Sequence, residues 1–197
     1  MILREIKTAF SSEVPIIDNE ISNDISAPPG QSWHYENADI ISCAIFYGNR
    51  ITILFREHND DIDIYKLKLK EMLDKLPTCF AFNYSMEKGN FVGFLGKRYF
   101  IEEIKPFKGK GKTKEWFFNE LFADGKVQKK FIPEDTISDK SDEVLELYKK
   151  KDYETIINHN ATDVIKQYFI WKYKSYILEK YKNKIDKNGW FVENGIS

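Results

Sequence analysis

Two β-rich runs on either side of a tight-turn sequence constrain the fold of this chain more than any other feature. The runs cover residues 40–46 and 50–55, and the residues between them include Gly48-Asn49, a pair that favours a two-residue hairpin turn. An apolar run that ends in acids, at residues 14–20, precedes them and predicts a buried strand. We therefore expect the first three strands to be consecutive and to form an antiparallel meander.

The rest of the chain alternates between helical and strand-like patterns. Apolar spacing predicts a helix at residues 63–76, and a buried strand follows at 78–84. A short helix then begins near Ser85, a shorter strand covers residues 99–104, and helices are predicted at 113–122 and over most of 142–184. This order predicts an α/β domain in which a mixed sheet, made of the meander plus parallel strands, is flanked by helices.

Length and composition limit the classes of protein that need be considered. The 197 residues suit a single domain, which we place at residues 1–185 with a C-terminal tail at 186–197. A net charge of −1 does not indicate a basic nucleic-acid binder, although bound cations would offset a local cluster of carboxylates.

No apolar run approaches the ~20 residues of a membrane span, and the N-terminus lacks a signal-peptide pattern. We expect a cytoplasmic protein with no membrane partner.

The first stretch with acids at a chemically useful position is Asp18-x-Glu20, at the end of the first predicted strand. Alternation along a strand places both carboxylates on one face, where they can share a metal ion. The pattern alone is weak, because Asp61-x-Asp63 repeats it elsewhere in a chain with 31 acidic residues.

Two further stretches carry candidate residues downstream. Glu87 follows the buried run that ends at Asn83, and it also fits an ordinary first-turn acid that suits the helix dipole. His159 and Asp163 would share one helix face at i and i+4 spacing. The ordinary alternative for this stretch is that Asn160 caps the helix, with Asp163 at the third position as in a capping box.

Taken in order, the three stretches resemble the three motifs of the DEDD superfamily of 3′→5′ exonucleases, the ribonuclease H-like proofreading type. The sequence FNYSMEKGNF is similar to the second motif in a branch with Glu in place of the usual Asp. The sequence HNATDVI looks like the third motif, and the likeness extends over about residues 14–181. The resemblance implies a ribonuclease H-like sheet and a phosphodiester-hydrolysing enzyme.

The resemblance also implies a role for each catalytic candidate. Asp18 would bridge two Mg²⁺ or Mn²⁺ ions, Glu20 and Asp163 would hold the ion that binds the attacking water, and Glu87 would serve the second ion. His159 would be the general base. Hard oxygen ligands suit these metals, and two ions about 4 Å apart stabilise the entering and leaving oxygens of a phosphoryl displacement.

A lysine-rich, glycine-containing loop supplies candidates for substrate binding. It contains Lys105, Lys108, Lys110, Lys112 and Lys114, which either follow a phosphate backbone or form a solvated surface. Asn83 and Lys88, close to Glu87, are further candidates for contacts with sugar or phosphate. The expected partner is DNA or RNA, at a 3′ end. The alternatives are a catalytically inactive protein of the same fold that binds nucleic acid or serves as a scaffold, and an endonuclease that uses the same carboxylates.

Overall fold

The computed structural model describes residues 1–22, 37–133, 135, 137 and 141–193, and four strands and six α-helices lie within them. The strands are β1 (Ile2–Ile21), β2 (Ile40–Phe55), β3 (Cys79–Ala81) and β4 (Ile101–Glu103). The helices are α1 (Ile62–Leu73), α2 (Tyr84–Leu95), α3 (Lys114–Ala123), α4 (Ser141–Lys150), α5 (Tyr153–Lys172) and α6 (Lys174–Tyr181).

The four strands form one mixed sheet in the order β2-β1-β3-β4. β1 and β2 pair antiparallel, whereas β3 lies parallel to both β1 and β4. Helices α1 and α2 contribute to one hydrophobic core, and helices α3 and α5 contribute to another. The buried apolar residues of β2 divide between these two cores according to the face of the sheet on which they lie. The prediction of an α/β chain with a mixed sheet flanked by helices is confirmed.

The predicted hairpin at Gly48-Asn49 is wrong, because both predicted runs belong to the single strand β2. This strand pairs with β1 from end to end, with Phe55 opposite Ile2 and Ile40 opposite Ile21. The pairing shifts register on both sides of the position where Gly48, with φ of 60°, lies opposite Ser12. The described residues therefore contain one antiparallel pair in place of the three-strand meander.

The physical reason for this difference is the length of β1. Alternate residues from Ile2 to Phe10 are half-buried and those between them are exposed, which is the period of a strand. This N-terminal half of β1 pairs with residues 50–55, so that run has no need to turn back on residues 40–46. A glycine with positive φ suits a bulge in a long strand as well as it suits a turn. The dipeptide alone therefore does not distinguish the two structures.

Helix α5 occupies the centre of one core and is buried on most of its surface. Thirteen of its 20 residues are buried, and Tyr168 packs edge-on against Phe46 of β2 at 5.0 Å between ring centroids. Polar side chains on such a helix must find partners inside the protein. This burial is what makes the polar residues of α5 informative about function.

The remaining elements lie close to their predicted positions. The helix predicted at 63–76 is α1, the strand predicted at 99–104 is β4, and the long helical region divides into α4, α5 and α6. The described part of the predicted tail folds back onto the basic loop, where the amide of Phe191 donates to the carbonyl of Lys108 at 2.8 Å. Residues 194–197 lie outside the described residues. Within the described chain, the helices are too short or too polar to cross a membrane.

The pairing of β1 with β2 predicts a cross-link that a hairpin would not allow. Lys7 and Arg50 are exposed and lie directly opposite each other. Lys7→Cys combined with Arg50→Cys should form a disulfide on oxidation and raise the free energy of unfolding by about 2–4 kcal/mol. Thiol counting and urea unfolding measure both effects.

The pair Glu13→Cys and Arg50→Cys is the matched control, because these exposed positions are not opposite each other. It should remain reduced under the same conditions. Failure of the first pair to cross-link would contradict the observed register.

Candidate active site

A cavity of about 490 Å³ opens where the end of β1 meets α2, α5 and the basic loop. The five residues for which catalytic roles were predicted all line it: Asp18, Glu20, Glu87, His159 and Asp163. They come from distant parts of the chain, so the fold is what gathers them. Asp18, Glu87, His159 and Asp163 are buried and Glu20 is half-buried.

The sheet topology explains why the acids of β1 meet Glu87. Asp18 and Glu20 are near the C-terminal end of β1, and β3 lies parallel to β1 as its neighbour. The chain leaves β3 at the same edge of the sheet and enters α2, whose first turn contains Glu87. Ligand sites of open α/β sheets form outside the carboxyl ends of parallel strands. The cavity occupies this position.

His159 and Asp163 lie one turn apart on α5 and approach Glu20. Nε2 of His159 is 3.5 Å from Oδ2 of Asp163 and 3.8 Å from Oε1 of Glu20. One potential ligand atom from each of the three side chains lies within 4.8 Å of the others. On the other side of the ring, Nδ1 of His159 is 3.0 Å from a carboxylate oxygen of Asp135, which fixes the orientation of the imidazole. The two carboxylates can therefore hold one cation, with Nε2 of His159 beside it.

Asp18 is held by two amide side chains of α5. Nδ2 of Asn160 donates to Oδ2 of Asp18 at 2.9 Å, and Nε2 of Gln167 donates to Oδ1 at 2.5 Å. The amide oxygens are engaged as well, since Ser42 donates to Asn160 and the backbone N–H of Phe82 donates to Gln167. These hydrogen bonds connect β2, β1 and the turn between β3 and α2 to one face of α5.

The capping alternative for Asn160 is wrong, because α5 begins before the residues in question. The helix starts at Tyr153, and the side chain of Asp152 caps it by accepting from the backbone N–H of Thr155. Asn160 lies in the interior of the helix and is fully buried. Its side chain donates a hydrogen bond to Asp18, and the helix N-terminus is capped by Asp152.

Burial raises the pKa values of the acids that line the cavity. Burial, together with the nearby charge of Asp163, raises the pKa of Asp18 to about 6. Burial and the charge of Asp18 raise the pKa values of Glu20 and Glu87 well above their usual range. Carboxylates that are buried close together disfavour one another's ionised forms. The ionised carboxylates of the cluster therefore repel one another, and a bound cation would offset this repulsion.

Lys114, the first residue of α3, places a permanent positive charge within the cluster. Its ammonium donates to Oδ2 of Asp163, and only 14% of its side chain is exposed. Burial alone would lower the pKa of Lys114, but the charges of Asp163 and Asp18 raise it well above its usual range. The sequence placed Lys114 only among the surface lysines of the basic loop, and nothing in its neighbours signals a buried ion pair.

The predicted substrate-binding residues divide into two groups. Asn83 and Lys112 line the cavity; Lys88, Lys108 and Lys110 are absent from its lining among the described residues. Lys88 lies 4.6 Å from the ring centre of Tyr84, and Lys108 pairs with the C-terminal segment near Trp190. Of the three lysines, Lys108 and Lys110 are exposed on the basic loop.

The side chains fit a hard divalent cation. Glu20 and Asp163 supply carboxylate oxygens, the ligand type that Mg²⁺ and Mn²⁺ prefer, with the imidazole of His159 beside them. Within the described chain, Oδ1 of Asp163 is buried without a hydrogen-bond partner, although the ammonium of Lys166 is 3.6 Å away. An oxygen in this state is available for coordination.

Comparisons of the chain with protein-family models, curated proteins and solved structures found no match.

The raised pKa of Glu87 predicts that this acid destabilises the metal-free protein at neutral pH. Glu87→Gln keeps an oxygen to accept the hydrogen bond from Asn19 and removes the charge near Asp18. We expect the free energy of unfolding to rise by about 1 kcal/mol near pH 8, measured by urea unfolding with a chelator present.

The sign of the pH dependence follows from the direction of the shift. A carboxyl whose pKa is raised by folding destabilises the folded state as the pH rises above its unfolded value, so the gain should shrink towards about pH 4. Glu71→Gln, on the exposed face of α1, is the control and should change stability by less than about 0.5 kcal/mol. A lower stability of Glu87→Gln at pH 8 would contradict this account.

Proposed function

We propose that the protein is a divalent-metal-dependent nuclease, and specifically a 3′→5′ exonuclease with a ribonuclease H-like fold. The observation that carries the proposal is the gathering of Asp18, Glu20, Glu87, His159 and Asp163 around one cavity. Their order along the chain resembles that of the DEDD exonucleases. Burying several carboxylates lowers the stability of the folded state, because buried charges without full compensation are costly. A bound cation that compensates these charges gives a reason for burying them.

The residues divide into metal ligands and groups that position them. A bound Mg²⁺ or Mn²⁺ would act as a Lewis acid at the phosphodiester and would lower the pKa of the attacking water. Glu20 and Asp163 would hold this ion beside His159, where their ligand atoms already lie close together. Asp18 would face the ion with a carboxylate that two amides orient, and Glu87 would contribute through water.

His159 is placed to take a proton from the attacking water. Its Nε2 lies towards Glu20 and Asp163, while Nδ1 is engaged with Asp135. Burial alone would lower the pKa of His159, but the hydrogen bond with Asp135 and the charges of Asp163 and Glu20 raise it to about 9. Once Glu20 and Asp163 are neutralised as ligands, two of the charges that favour the imidazolium are offset. The neutral ring that a general base requires is then favoured.

The surroundings of the cavity suit a chain of phosphates. Lys105, Lys112 and Asn83 line it, and the exposed Lys108 and Lys110 extend the positive charge along the same loop. Lysines of this kind bind nucleic-acid backbones through salt-dependent contacts that do not select sequence. We therefore propose DNA or RNA as the substrate class, with the reacting phosphate near the carboxylate cluster.

Catalysis by this cluster predicts degradation of a 3′-labelled oligonucleotide that requires Mn²⁺ or Mg²⁺. Asp18→Ala should abolish it, and His159→Gln should lower kcat by about 10²- to 10⁴-fold, the usual contribution of a general base. Nucleoside monophosphates should be the product, and a circular single strand should resist cleavage, as it offers no 3′ end.

Asp63→Asn is the matched control, because Asp61-x-Asp63 repeats the spacing of the first motif but lies exposed at the start of α1. This variant should keep full activity. Binding of the oligonucleotide without cleavage, unchanged by chelator or by Asp18→Ala, would contradict the nuclease proposal and would favour a non-catalytic nucleic-acid-binding protein. Cleavage of the circular strand would indicate an endonuclease.

A further inference from the structure

Lys114 occupies a position inside the carboxylate cluster that the proposed chemistry leaves unexplained. Thr113 caps α3 by accepting from the backbone N–H of Trp116 at 3.2 Å, so the first residue of the helix has a defined direction. The side chain of Lys114 extends from this point into the cavity and ends on Oδ2 of Asp163. The same oxygen is 3.5 Å from Nε2 of His159.

The cluster has two parts, and only one of them has carboxylate oxygens that are arranged to bind a cation. Glu20, His159 and Asp163 present ligand atoms within 4.8 Å of one another. In the other half, each oxygen of Asp18 accepts a hydrogen bond from an amide, and Glu87 accepts one from Asn19. The carboxylates of this second half are thus already engaged by donors from the protein.

We propose that the ammonium of Lys114 takes the place of a second metal ion, so that the site binds one divalent cation beside Glu20, His159 and Asp163. The proposal rests on the proposed function for the first ion. It concerns the charge of the whole cluster, because the Lys114 ammonium is hydrogen-bonded to Asp163 and its positive charge also acts on Asp18 and Glu87. A lysine held in this way supplies one permanent positive charge and three N–H donors, which can contact carboxylate and phosphate oxygens together.

Two other lysines close to the cluster do not fill this role. Lys166 is 3.6 Å from Asp163 and is engaged by Glu115 at 2.7 Å and by Asp135 at 3.2 Å. Lys112 lines the cavity, but its ammonium lies over the ring of Trp116, 3.8 Å from the ring centre. Lys114 is the lysine that donates a hydrogen bond to Asp163.

The number of bound Mn²⁺ ions tests the proposal without any nucleic acid present. Equilibrium dialysis gives the stoichiometry, and electron paramagnetic resonance separates one isolated ion from two ions about 4 Å apart, which are magnetically coupled. The unaltered protein should bind one ion with an uncoupled spectrum. Lys114→Met, which has a neutral side chain of similar length, should bind two ions with a coupled spectrum.

Two further variants control for charge and for folding. Lys114→Arg keeps the positive charge and should bind one ion, and Lys112→Met removes a nearby lysine of the same cavity and should also bind one. Should Lys114→Met fail to fold, as judged by circular dichroism, Lys114→Gln takes its place as the neutral variant and should likewise bind two coupled ions.

The outcomes separate this inference from the proposed function. Two coupled ions in the unaltered protein, or one uncoupled ion in a folded Lys114→Met, would overturn the role of Lys114 and leave the nuclease proposal intact. Absence of Mn²⁺ binding to the unaltered protein would overturn both. One ion together with an absence of nuclease activity would overturn the proposed function alone.

Discussion

The hydrogen bonds between Asp18 and two amides of α5 are the interaction on which the arrangement of the cavity depends. A buried carboxylate must be hydrogen-bonded to be tolerated, and Asn160 and Gln167 each donate to one of its oxygens. These two contacts fix both the rotation of α5 and its position along β1. His159 and Asp163 share the same helix face, so they are carried to the carboxylate cluster with it. The site is therefore a consequence of how one helix packs on one strand.

Concentrating acids at this edge of the sheet has an electrostatic cost that the protein offsets only in part. Burial raises the pKa values of Asp18, Glu20 and Glu87, and Lys114 supplies a compensating charge. Sites prepared for a ligand are commonly less stable without it, and ligand binding restores stability by mass action. A divalent cation is the ligand whose charge and preferred oxygen donors match this cluster.

The sequence predicted most elements and the acids that line the cavity, but it could not predict features that depend on pairing between distant parts of the chain. The Gly48-Asn49 pair suggested a hairpin, because a local turn signal carries no information about the N-terminal half of β1 as an alternative partner. Asn160 and Gln167 do have a signal: with Asp163 they form a polar stripe at i, i+3 and i+7, the spacing of one helix face. Lys114 had none, since a lysine in a basic loop does not differ by sequence from one that is buried in an ion pair.

Anomalous diffraction from crystals soaked in Mn²⁺ would test the central claim most directly, which is that these distant acids form one cation site. The account predicts an anomalous peak in the cavity, about 2 Å from carboxylate oxygens of both Glu20 and Asp163, with Asp18 still bonded to the two amides of α5. A cavity without a peak at saturating Mn²⁺, or a structure in which Asp18, Glu20, Glu87 and Asp163 do not face a common space, would contradict it.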